Sequence, residues 1–125
     1  MLRIQSPELY LLHPQAGALF ETYVSNMVYA IIKSLPGAPA VHHWRSVGGA
    51  EVDIVLQAGN ALYPIEVKMK SVVGKYEVRG IKAFQEAYAQ SGLKVMPGVI
   101  VYAGNDCHWV TDTVIAVPWN MMVEG

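Results

Sequence analysis

Glu51-Val52-Asp53-Ile54-Val55-Leu56-Gln57-Ala58-Gly59-Asn60-Ala61-Leu62-Tyr63-Pro64-Ile65-Glu66-Val67-Lys68 reads as two strands joined by a tight bend. Val52, Ile54 and Leu56 alternate with Glu51, Asp53, Val55 and Gln57, the period of a strand with two unlike faces. Gly59-Asn60 is a strong signal for a two-residue hairpin turn. The returning strand runs from Leu62 to Met69, and Pro64 inside it must sit where the ladder needs no donor. If the bend takes two residues, Ala58 faces Ala61, Asp53 falls opposite Glu66, and Glu51 falls opposite Lys68. Facing residues in such a ladder hold their Cβ atoms about 4.5–5.5 Å apart. Glu66 and Lys68, two positions apart on one strand, share a face. This register predicts that Asp53, Glu66 and Lys68 converge on one patch.

Upstream of the hairpin, Val41 to Ser46 reads as another strand, closed by a turn at Gly48-Gly49. Before that, Leu19, Phe20, Tyr23, Val24, Met27, Val28 and Ile31 recur at helical spacing. The helix starts near Pro14, a residue suited to the first helical position, and stops at Pro36-Gly37 and Pro39. Residues 1–13 form an apolar lead, broken by Pro7 and carrying Leu9-Tyr10-Leu11-Leu12. Such a lead suggests docking onto the domain or the end of a missing upstream region.

Downstream, residues 70–76 form a basic, glycine-containing loop. A helix follows from about Glu77 to Gln90, with Ile81, Phe84, Ala87 and Tyr88 as its apolar stripe and Ser91-Gly92 as its stop. Val95 to Ala103 is a nearly continuous apolar run and reads as a fourth, central strand. His108 to Val110 and Val114 to Val117 are short strand candidates before a tail that begins at Pro118. The plan is α/β, an α-β-β-β-α-β core with a mixed central sheet flanked by helices. The third strand, second helix and fourth strand form a parallel crossover.

The chain has 125 residues, which suits a single domain over 1–125. Hydrophobic residues make up 53% and charged residues 15%, ample for a buried core. No apolar run approaches the ~20 residues that cross a bilayer, and no signal-peptide pattern opens the chain. A soluble, cytoplasmic protein is expected. Cys107 is alone, so an internal disulfide and a thiolate-rich zinc site are both excluded. The net charge of −1 gives no global attraction to nucleic acid, so any such contact must come from a local basic patch.

Two facing carboxylates repel, and the repulsion must be offset by a raised pKa, a lysine or a divalent cation. Hard oxygen ligands suit Mg²⁺ or Mn²⁺, which keep several waters and accept phosphate oxygens. A neighbouring lysine orients water and stabilises charge on the phosphate. Two acids and a lysine are thus the parts for metal-assisted phosphodiester hydrolysis.

Gly49-Ala50-Glu51-Val52-Asp53-Ile54-Val55, followed by Pro64-Ile65-Glu66-Val67-Lys68, resembles the signature of the PD-(D/E)XK nuclease superfamily. The resemblance implies a restriction-endonuclease-like fold. Asp53 and Glu66 would hold Mg²⁺ or Mn²⁺, and Lys68 would position and activate water. Gly17-Ala18-Leu19-Phe20-Glu21-Thr22-Tyr23-Val24 looks like the upstream helix that adds a glutamate in that superfamily, which gives Glu21 an assisting role at the metal. His43-Trp44-Arg45-Ser46 is similar to one branch, the uncharacterised C-terminal domain attached to certain prokaryotic AAA-type ATPases. The similarity spans roughly residues 13–103. No Gly-x4-Gly-Lys-Ser/Thr loop is present, so this chain is not itself the ATPase.

The expected activity is that of a metal-dependent endo- or exodeoxyribonuclease, with RNA as another possible substrate. The alternative is a catalytically silent nuclease-fold module for nucleic-acid docking or protein interaction within a larger ATPase. A purely structural homodimer is a third reading. Lys70, Lys75, Arg79 and Arg45 are the expected contacts to a nucleic-acid backbone, weighed against a plain solvated face. Trp44 is either a stacking surface or a core residue, and Glu51 pairs with Lys68 or with solvent, with membership of the metal shell as the alternative. Gln85 is a candidate polar residue near the lysine. His42 and His43 alternate faces and do not reach one metal together. Cys107-His108 lacks a base-orienting partner for nucleophilic chemistry. The methionines read as core filler.

Overall fold

In the computed structural model, which describes residues 14–37 and 39–121, helix α1 spans Pro14–Lys33. Its buried row is Phe20, Val24, Val28 and Ile32, every fourth residue, because the helix lies along one sheet face and only one row reaches it. The broader stripe expected from the sequence is corrected here: Leu19 and Tyr23 are each 58% exposed. The apolar lead at 1–13 lies outside the described residues.

Strands β1 (Ala40–Arg45), β2 (Glu51–Ala58) and β3 (Ala61–Lys68) follow α1. Helix α2 (Arg79–Ala87) comes next, and then β4 (Lys94–Val95), β5 (Gly98–Tyr102), β6 (His108–Thr111) and β7 (Val114–Pro118). They build one seven-stranded sheet ordered β1-β2-β3-β5-β7-β6, with β4 on β3. The β1–β2, β2–β3 and β6–β7 pairs are antiparallel, whereas β3, β5 and β7 run parallel. The architecture is therefore α/β with a mixed open sheet, as expected.

The hairpin register is also as expected. Ala58 faces Ala61, and the pairing holds through Ile54–Ile65. Gly59 takes φ +61°, the left-handed bend such a turn requires. Pro64 is buried in a central strand without cost. Leu62 offers its carbonyl to the Met96 N–H, so the even-numbered positions of β3 address the β4/β5 edge. Pro64 falls there between the β4 pairs, which end at Leu62, and the β5 pairs, which begin at Ile65.

The core has two halves, one on each face of the sheet. On the α1 side, the buried helix row packs on Ile54, Val67, Met69, Val101 and Ala103. On the α2 side, Ile81 and Phe84 pack on Val52, Val55, Leu62, Ile100, Val114 and Ala116. Phe84 makes an edge contact with Trp44 at 5.4 Å and a tilted one with Tyr88 at 4.7 Å, which makes Trp44 a packing residue.

Three expectations change. The single fourth strand is split into β4 and β5 at Met96-Pro97, where proline removes a ladder donor. Helix α2 begins at Arg79 rather than Glu77, because the Glu77 carboxylate turns back to accept the Gly74 N–H at 2.6 Å. Trp119, in the expected tail, makes an edge contact with Phe20 at 5.0 Å, and its backbone N–H donates to the Tyr102 carbonyl. Among the described residues no helix is long and apolar enough to cross a membrane.

Candidate active site

The clean alternation expected along β2 breaks at one place, and that place builds the site. His42 faces Val55 but Trp44 faces Val52, so Asp53 and Ile54 together stand against His43. Two residues against one is a β-bulge, a device that bends a strand and re-aims its side chains. As a result Val52 joins Val55 on the α2 side while Ile54 packs on the α1 side. Asp53, released from the pleat, lines a cleft of about 520 Å³ with Glu21, Glu66 and Lys68.

The last paired residues of β2 and β3 are Ile54 and Ile65. Beyond them the Glu66 side chain takes over: its Oε1 accepts the Asp53 backbone N–H at 2.7 Å. Lys68 Nζ stands 3.5 Å from Glu66 Oε2. Glu66 is only 4% exposed, the one buried charged residue among those described. Burial pushes its carboxyl up to about 7; the Asp53 N–H lowers it, the Asp53 charge raises it, and Lys68 lowers it again. Both carboxylates and the lysine therefore line one cleft, although the strand pairing stops short of Asp53 and Glu66, which are joined by the side-chain bond instead.

Glu21 reaches the same cleft from α1. Its Oε2 accepts the Met69 N–H at 3.3 Å, one residue beyond Lys68, and ties the helix to the end of β3. The other wall comes from the segment before α2. There Glu77 binds Lys70 Nζ at 3.1 Å, and its pKa is lowered chiefly by the Gly74 N–H. Gly80 lets α2 sit directly on β2, since a Cβ on it would fall 2.2 Å from the Glu51 carbonyl oxygen.

Several expected roles are relocated. Glu51 pairs with Arg45 at 2.9 Å rather than with Lys68, and its pKa is lowered mainly by the Arg45 hydrogen bond. The bulge shifts β1 into reach of Glu51, which the sequence register ignored. Arg45 is thus spent on an exposed ion pair. Lys70 and Arg79 line the cleft, whereas Arg45 and Lys75 stand outside it. Gln85 is not near Lys68: it donates to the Thr113 carbonyl at 3.1 Å and braces the β6–β7 turn. Tyr76, Glu77 and Gly80 line the cleft and were not singled out by the sequence. The signal for Glu77 was its place as the one acid in a basic run, three residues after Gly74.

Among the described residues, no three His, Cys, Asp or Glu side chains stand close enough to enclose an ion by themselves. The donor set in the cleft is carboxylate oxygen, with no histidine or cysteine. Such a set fits Mg²⁺ or Mn²⁺, because Mg²⁺ is usually bound through one or two carboxylates with waters and phosphate oxygens completing the shell. Asp53 and Glu66 are the pair that fits, and a cation there would counter the burial that chiefly raises Glu66 and the Asp53 repulsion that adds to it.

Residues 16–122 match a family model described as a domain of unknown function (DUF4143). No curated protein matches the chain.

Proposed function

The chain belongs to the DUF4143 family, whose description carries no activity, and from its site we propose a magnesium-dependent phosphodiesterase of the PD-(D/E)XK nuclease kind that acts on DNA. The observation that carries this reading is the meeting of Asp53, Glu66 and Lys68 in one cleft, with Glu66 buried and its carboxyl raised. Asp53 and Glu66 would hold Mg²⁺ or Mn²⁺, with Glu21 assisting. When bound, such an ion lowers the pKa of water and polarises a phosphate oxygen.

The side chains do the rest. Lys68 brings a positive charge to the place where negative charge builds on the phosphate, in a walled site where it counts for more than in bulk water. The same ammonium donates hydrogen bonds that orient the attacking water. Hydrolysis adds hydroxide to phosphorus and breaks one P–O ester bond, and the departing oxygen leaves as an alcohol after taking a proton. Glu21, through Met69, holds the end of β3 and so fixes Lys68.

The test is incubation with plasmid and single-stranded DNA plus Mg²⁺ or Mn²⁺, comparing wild type with Asp53→Ala and Lys68→Ala. Cleavage by wild type, lost in both variants, is expected; no cleavage by any of the three sinks the proposal. A second reading is a silent nuclease-fold module that serves a larger ATPase. One observation favours it: the carboxylates of Glu21, Glu51, Glu66 and Glu77 all have partners within the chain. Calorimetric titration with Mn²⁺ separates the two, since binding that vanishes in Asp53→Ala belongs to a working site.

A further inference from the structure

We propose that Tyr76, backed by Arg79, is a stacking platform for an unpaired base, so that the substrate is single-stranded DNA or a single-stranded end. This inference rests on the phosphodiesterase reading and adds the substrate class.

Tyr23, Tyr76 and Trp109 are all exposed aromatic residues, but of the three Tyr76 alone lines the cleft. Phe20, Phe84 and Tyr102 are buried, yet Tyr76 is 67% exposed and lines the cleft that holds Asp53, Glu66 and Lys68. Its neighbours are cations: the Arg79 guanidinium lies 4.0 Å from the ring centroid and Lys70 Nζ lies 5.6 Å away. Arg79 is fixed from behind, because its Nε donates to the Tyr76 carbonyl at 3.2 Å. Lys70 is drawn aside by Glu77. The ring is therefore held by an arginine and left largely open to the cleft.

That arrangement has the chemistry of a single-strand reader. Aromatic rings accept bases by stacking, arginine adds a cation–π contribution, and both tolerate any base. A ring that is already ordered loses less freedom on binding. The depth of the site points the same way. Glu66 is 4% exposed at the base of a cleft of about 520 Å³, so the scissile phosphate must enter between the walls. A cleft of that volume is in the range that encloses small ligands. A base inside a duplex is already stacked on both sides and cannot meet Tyr76 unless it is unpaired. Lys68 and Tyr76 line the same cleft, so phosphate and base contacts are offered side by side.

The test measures binding by fluorescence anisotropy in Ca²⁺. It uses a short single-stranded oligonucleotide, a blunt duplex of the same sequence, and the single strand carrying 2-aminopurine as a stacking reporter. Wild type, Tyr76→Ala and Tyr76→Phe are compared. Tighter binding to the single strand is expected, with 2-aminopurine quenching. The single-strand affinity should fall roughly tenfold to hundredfold in Tyr76→Ala and recover in Tyr76→Phe, as stacking of one base implies. Single-stranded DNA bound equally well by wild type and Tyr76→Ala, without quenching, overturns the platform and leaves the phosphodiesterase reading standing. No binding of either DNA by wild type overturns both.

Discussion

Glu66→Gln tests the electrostatics of the cleft without any substrate. The folded chain holds the Glu66 carboxyl at about 7, against an ordinary value of 4.5. Between those values the folded state keeps a proton that the unfolded state has already released. Unfolding then releases a proton, so stability falls as pH rises. The stabilising proton is present at acid pH and is lost as pH rises through about 7. From pH 5 to pH 8 the change works out to about 2.5 kcal/mol. That is a sizeable share of the ~5–15 kcal/mol that holds a typical domain together. Glutamine keeps the shape and still accepts the Asp53 N–H, which Glu66 now binds at 2.7 Å, but it does not titrate. Urea unfolding at a series of pH values should therefore show the Glu66→Gln curve gaining on wild type by that amount toward pH 8. Groups that do not touch Glu66, the four histidines among them, cancel in the difference. Parallel curves across the range would mean that Glu66 is not held in a low-dielectric site, and the argument for a cation there would lose its basis.

Three other outcomes follow from the same geometry. Gly80→Ala should lower stability by roughly 1–3 kcal/mol, read from urea unfolding, because its Cβ would meet the Glu51 carbonyl at 2.2 Å. Mn²⁺ should raise the melting temperature at pH 8 and much less at pH 5, since the ligand carboxyl must be ionised to bind; equal shifts at both pH values would place the ion elsewhere. Gln85→Ala should cost about 0.5–1.5 kcal/mol by loosening the β6–β7 turn and leave DNA cleavage unchanged, because its partner is Thr113 and not Lys68.

The cleft shows how two acids and a lysine are brought together by separate elements of one sheet. A hairpin supplies the two acids and the lysine, and the bulge at Asp53-Ile54 turns the first acid into the cleft. α1 reaches the end of β3 through Glu21, and α2 lies against β2 over Gly80. Each contribution comes from a different element, so the cleft exists only when all of them are docked.

The local chemistry of the chain was enough to determine the α/β plan, the first helix, the Gly59-Asn60 bend and the pairing of Ala58 with Ala61. From that pairing came the expectation that Asp53, Glu66 and Lys68 share one place. These features depend on neighbours a few residues apart, through turn geometry and side-chain period, and both are written in the order of the residues. Packing decided the remainder. The two-against-one step between β1 and β2 sent Val52 and Ile54 to opposite faces and gave Glu51 to Arg45. Insertion of β7 between β5 and β6 could not be read from short apolar runs. The burial of Glu66, and with it the raised carboxyl, arises only when strands and helices distant in sequence close over it. A dielectric environment belongs to the assembled surroundings of a group and not to the group, which is why the residues were legible in the chain and their acidity was not.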